Sequence, residues 1–163
     1  LPIVLGLIVP PQPLGASALA NREVNAGLNQ GTMPGILGTA KQKTASDKNI
    51  LDWWESFRAS SNLAADQSFI GQPAKVVGFI YKDQRYGAGH FMVVRYLVSC
   101  CVADASALGL VVAWPEEAQL KNDQWVEVAG TFAPSDLKDW QMPVLVAKSI
   151  TPVSIPDQPY LYP

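Results

Sequence analysis

Five short runs with the composition of strands fill the second half of this chain, and their order leaves few folds open. Residues 74–81, 91–100 and 108–114 are rich in Val, Ile, Leu and aromatic side chains and are separated by Gly, Pro and Asp, the usual bounds of strands. Residues 115–121 read as a short helical connection, with Pro115 at the first position and Glu116 and Glu117 in the first turn. Residues 125–132 and 143–150 then supply two more strands. Three strands, a helical connection and two strands is the order of an OB-fold, a small Greek-key barrel, with a β-sandwich as the alternative. Gly78 and Gly130 interrupt two of the runs, as the sharply coiled strands of a small barrel require. The expected class is mainly β: an OB-fold-like five-stranded barrel behind a leading amphipathic helix and an extended N-terminal arm.

The helix is predicted from spacing. Ile50, Trp53, Trp54 and Phe57 fall at i, i+3, i+4 and i+7, one apolar face of about three turns, with Thr44, Ser46 and Asp47 available as N-caps. By that period one indole of Trp53 and Trp54 belongs in the contact with the barrel and the other at the edge of the stripe; core packing of both is the expectation, with an exposed indole at the headgroup level or in a partner groove as the alternative. Upstream, residues 10–46 are rich in Pro, Gly, Ala, Asn and Gln and hold no period, which reads as a tether or a wrapping arm. Residues 1–9 are apolar and stop at Pro10, and nine residues are too few to cross a bilayer as a helix, which takes about 20. The run reads as the end of a membrane span, with a signal-peptide remnant or a strand as alternatives. The chain thus divides into a membrane-exit remnant and arm, 1–46, and a helix-plus-barrel domain, 47–163.

The chemically unusual stretch is Arg95-Tyr-Leu-Val-Ser-Cys-Cys-Val-Ala-Asp-Ala105, which sets both cysteines of the chain side by side at a strand end. If the strand stays regular, Met92, Val94, Tyr96, Val98 and Cys100 share a wholly apolar face, predicted to be the barrel interior, and Arg95, Ser99 and Cys101 share the other. Cys100 is then a buried core thiol, and Cys101, near a guanidinium, the more reactive one. Adjacent Cα atoms about 3.8 Å apart disfavour a disulfide between the two. Cys100, Cys101, Asp104 and the single His90 together carry ligand types suited to a transition metal such as zinc, provided the strand bulges or turns so that both thiols meet one ion. Asp104 has a simpler use, capping the turn into the third strand.

With Gly71-Gln-Pro-Ala-Lys-Val-Val-Gly-Phe79 before it and Gln124-Trp-Val-Glu-Val-Ala-Gly-Thr-Phe132 after it, the cysteine run resembles the C-terminal domain of the YcgQ-like bacterial membrane proteins. The likeness is densest from Asn49 to Pro156, and Pro10-Pro-Gln-Pro-Leu-Gly15 and Asn21-Arg22 are similar to that family's membrane-exit segment. It implies unassigned activity, a predicted permease partner and membrane spans upstream; the expected location is the cell membrane, with the soluble domain on the extracytoplasmic side.

Composition narrows the function classes. Charged residues make up 16% of the chain and the net charge is -2, so no broad positive field is available to hold a phosphate backbone. Lys75, Lys82, Arg85 and Arg95 near Tyr81, Tyr86 and Tyr96 could imitate a stacking platform, but an acidic chain at a membrane is a poor nucleic-acid trap. No nucleophile-elbow, zincin or phosphate-loop motif occurs, and Ser-His or Cys-His chemistry would have to converge on His90, which reads as an exposed or edge imidazole. The reading is a non-catalytic binding or partner module without cofactor, its candidate binding residues Arg95, Cys100, Cys101 and Asp104. It is associated with a permease and could self-associate through the arm; the alternative is a metal-binding or thiol-redox domain built on the Cys100-Cys101 corner with Asp104 and His90.

Overall fold

A computed structural model describes residues 12–21, 24–25, 43–60, 66–138 and 140–163. The apolar run 1–9, and the membrane-exit reading placed on it, lie outside the described residues. The strands are β1 (Val24–Asn25), β2 (Pro73–Tyr81), β3 (His90–Leu97), β4 (Ser106–Ala113), β5 (Trp125–Ala133) and β6 (Val144–Pro152), and one α-helix, α1 (Ile50–Ala59), precedes the main sheet. The helix expected at 115–121 is a three-residue 3-10 turn, Glu117–Gln119.

Strands β2 to β6 close into a five-stranded barrel of OB-like connectivity. The order runs β4-β3-β2-β5-β6, and β6 returns to pair with β4 in parallel through Val112↔Leu145 and Ala113↔Val146. Closing so few strands needs strong coiling, which appears as a register shift at Ala129/Gly130 and as close strand approaches at two glycines. A Cβ on Gly78 would meet the Val94 carbonyl oxygen at 2.6 Å, and one on Gly130 would overlap the Val146 carbonyl. Both were expected from the sequence as bend positions.

Cross-strand pairs identify the interior. Val76↔Val128, Gly78↔Val126 and Ile80↔Val93 place Val76, Ile80, Val93, Val126 and Val128 on one face, all of them buried. Lys75 and Glu127 lie on the other face and form an exposed ion pair. The inner face of β3 is therefore that of Phe91 and Val93, and the expected assignment of Met92, Val94 and Tyr96 to the interior is reversed. Those residues are buried all the same, because the chain preceding the barrel covers part of the outer surface. Tyr96 donates its hydroxyl hydrogen to the Gly15 carbonyl at 3.0 Å, and the Trp54 indole donates to the Gly109 carbonyl of β4 at 3.0 Å.

Helix α1 starts at Asn49 and not at the caps expected upstream. Asn49 and Asp52 form a reciprocal capping box, with Asp52 N–H donating to the Asn49 side chain at 3.0 Å and Asn49 N–H to the Asp52 carboxylate at 2.7 Å. Thr44 is occupied within its own turn by Ser46 and Asp47. Trp53, Trp54 and Phe57 are buried as their spacing predicts. Trp53 meets Phe132 edge-on at 4.8 Å and Phe57 meets Phe69 edge-on at 4.9 Å, the favoured geometry for aromatic pairs.

β3 ends at Leu97, three residues before the first cysteine, and both cysteines are exposed. The expectation of a buried Cys100 fails because the alternation that supported it stops there. Two outcomes follow for urea denaturation. Gly130→Ala, which must displace the backbone of β6, should cost about 1–3 kcal/mol. Cys100→Ser and Cys101→Ser should each leave the unfolding midpoint unchanged, whereas a selective loss at Cys100 would restore the buried assignment.

Candidate functional site

The corner between β3 and β4 is built by Asp104. Its carboxylate accepts the Ser99 N–H at 3.3 Å and the Cys100 N–H at 2.9 Å, so the chain turns sharply out of the strand. A 3-10 turn, Val102–Asp104, follows, with Asp104 N–H donating to the Cys101 carbonyl at 3.1 Å. Capping by Asp104, foreseen from the sequence, is what removes the strand geometry that would have thrown the two thiols to opposite sides.

The turn brings Cys100, Cys101 and Asp104 together, with one donor atom from each within 4.8 Å of the other two. Asp104 accepts from the Cys100 thiol, and together with Cys101 it pushes that thiol up to about 11. The same contact, with the backbone N–H of Cys100, holds the Asp104 carboxyl below the usual carboxylate range. Cys100 is thus a protonated thiol at neutral pH and a weak nucleophile.

The other candidates are elsewhere. His90 begins β3, seven residues before the strand's last residue, which at about 3.3 Å per residue puts it roughly 23 Å away along the strand. Its ring lies 3.3 Å from the Ala88 carbonyl and 4.0 Å from the Asp136 carboxylate, so it does not join the cysteine cluster. Arg95 also turns to other work. Its guanidinium donates to the carbonyls of Gln158, Pro159 (3.2 Å) and Tyr160 (3.4 Å), and burial lowers its pKa. It clamps the C-terminal segment, whose Leu161 pairs with Leu97 and accepts the Val98 N–H at 2.9 Å. The expected influence of Arg95 on Cys101 is replaced by this structural role, which local spacing could not reveal because the partners lie more than 60 residues away.

The basic-aromatic set does not assemble into a stacking face among the described residues. Lys75 pairs with Glu127, Lys82 with Glu117 and Arg85 with Asp83, while Tyr86 and Tyr96 are buried. One concavity that the sequence did not signal lies beside the β5–β6 connection, a cleft of about 260 Å³ lined by Asp66, Ile70, Trp140 and Met142 among others. The Trp140 indole N–H is buried there without a hydrogen-bond partner among the described residues. The volume falls below the roughly 300–1,000 Å³ typical of small-molecule sites.

The UPF0703 protein YcgQ of Bacillus subtilis (strain 168) is 28% identical over 58% of this chain, and the chain spans only 34% of that protein. A Streptococcus mutans serotype c (strain ATCC 700610 / UA159) protein named "Putative two-component membrane permease complex subunit" is 25% identical over 99% of this chain and 70% of its own length. A solved structure titled as that of "a putative aspartyl-tRNA synthetase" from Leishmania major Friedlin aligns over 75% of this chain and 23% of its own at 11% identity and a TM-score of 0.36, a likeness too low to bear on fold or function. The model of the DUF1980 C-terminal domain matches residues 35–163, and the chain belongs to that family.

Proposed function

We propose that this domain is a non-catalytic partner module of a membrane permease, the extracytoplasmic soluble part of a protein anchored by spans outside these residues. The observation that carries the reading is the Streptococcus relative, similar over 99% of this chain and named as a permease complex subunit. The geometry supports a docking role. Much of the outer face of β3 and β4, the surface on which OB barrels commonly bind their ligands, is occupied by the chain's own upstream segments. Exposed apolar side chains remain at Val102, Ile155 and Tyr162. Within the described residues, no helix is long and apolar enough to cross a membrane.

The division at residue 46 belongs to the same proposal, with the arm serving association. Ala16 and Leu19 are nevertheless buried and Ala16 N–H donates to Asp123, so a chain beginning at Asp47 should fold cooperatively with a lowered urea midpoint. Failure to fold would place the arm in the core.

The partner reading is tested in the full-length protein in its native membrane, with a photo-crosslinking amino acid at Val102, Ile155 or Tyr162. Crosslinking to one polytopic membrane protein, from at least one of these positions and not from buried Val93, is the expected result. Crosslinks absent from all three, or confined to soluble proteins, would overturn it. Nucleophilic thiol chemistry at Cys100 is disfavoured by its raised thiol. In Cys101→Ser protein, alkylation of Cys100 by iodoacetamide should accelerate about tenfold per pH unit between 7 and 10. A rate already flat above pH 8 would reveal an activated thiolate.

A further inference from the structure

The exposed corner has no role in the core, since neither cysteine belongs to the buried cluster and the barrel closes without them. Exposed adjacent thiols facing one carboxylate are hard to explain by packing. Their donor atoms already cluster, all within 4.8 Å of one another. Tetrahedral coordination with metal–sulfur bonds of about 2.3 Å places such atoms about 3.8 Å apart. The mismatch is at most about 1 Å, which exposed side chains can absorb by small rotations.

We propose that Cys100, Cys101 and Asp104 form a surface site for a borderline divalent cation of the zinc type, held by two thiolates and one carboxylate with one coordination position left open.

The donor set selects the ion. Thiolates are poor ligands for magnesium and calcium, which take oxygen, whereas the carboxylate fits zinc better than a monovalent soft ion. Binding is balanced: the cation enters, the two thiol protons leave to solvent, and the three-residue site carries the same net charge of −1 before and after, counting Asp104 as ionised throughout. Asp104 accepts the Ser99 N–H on Oδ1 and the Cys100 N–H on Oδ2, which fixes the side chain before an ion arrives, and each oxygen has a second lone pair to offer the metal. Three protein donors and an exposed open position describe an exchangeable ion and not a structural one, since structural zinc sites close with four protein ligands. Water or a group from another protein would complete the coordination; His90 lies too far off to do so. The site stands on its own geometry and does not depend on the permease reading, which is judged by membrane crosslinks and not by metal.

The test uses the protein reduced, stripped with chelator and then exchanged into chelator-free buffer. Titration with Co²⁺ should give a thiolate-to-cobalt charge-transfer band that saturates at one ion per chain and is abolished by Zn²⁺. Competition with a chromophoric chelator should show Zn²⁺ affinity reduced at least tenfold in Cys100→Ser and in Cys101→Ser, and by a smaller factor in Asp104→Asn, with circular dichroism unchanged. Zn²⁺ should also slow alkylation of both thiols in the unmodified protein, a readout that needs no variant. Absence of the charge-transfer band, its survival in the double serine variant, one ion shared between two chains, or equal alkylation with and without Zn²⁺ would each overturn the proposal.

Discussion

The parallel contact between β4 and β6 is the constraint on which the rest of the molecule depends. Without Val112↔Leu145 and Ala113↔Val146, the five main strands would form an open sheet with apolar side chains on both faces. Closing the ring turns one face into an interior filled by Val76, Ile80, Val93, Val126 and Val128, and leaves only the outer surface to be covered. The strong coiling that closure demands explains why Gly78 and Gly130 stand where neighbouring backbone passes closest. It also explains why β2 pairs with β3 only through Phe79, Ile80 and Tyr81 while pairing with β5 over a longer stretch.

Much of this was legible in the sequence. Strand order, the bend glycines and the helix face follow from local period and composition, and these are properties of neighbouring residues; period alone put one indole in the contact and the other at its edge, and the structure buries both. The helix cap was missed because several oxygen-bearing side chains precede Ile50, and only the reciprocal bond between Asn49 and Asp52 distinguishes the one used. The inner face of β3 was misassigned for a related reason. Alternation shows that two faces exist, but Phe91, Met92, Val93 and Val94 are all buried, and which set faces inward is decided by register against β2 and by the chain that covers the outside.

The cysteine corner divides along the same line. That Cys100, Cys101 and Asp104 could meet was readable from their spacing, given a turn, and Asp104 supplies the turn by accepting two backbone N–H groups. Neither the exposure of Cys100 nor the diversion of Arg95 to the C-terminal carbonyls was readable. Both depend on contacts between segments distant in sequence, which residue type alone does not encode.

An OB-like ring leaves two places where a strand outruns its neighbour, and the chain's own outlying segments fill both. β1 pairs in parallel with Ala107 and Leu108, on the stretch of β4 that β6 does not reach. Leu161 pairs with Leu97, on the stretch of β3 that β2 has left. These short pairings are the least cooperative parts of the sheet, so hydrogen exchange at Val98, whose N–H is held by the Leu161 carbonyl, can proceed by local opening while the amides of Val93 and Val128 await global unfolding. Each such opening bares a strand edge for a moment without loosening the barrel. Peripheral segments, and not the core, therefore set how often this protein offers backbone hydrogen bonds to another chain.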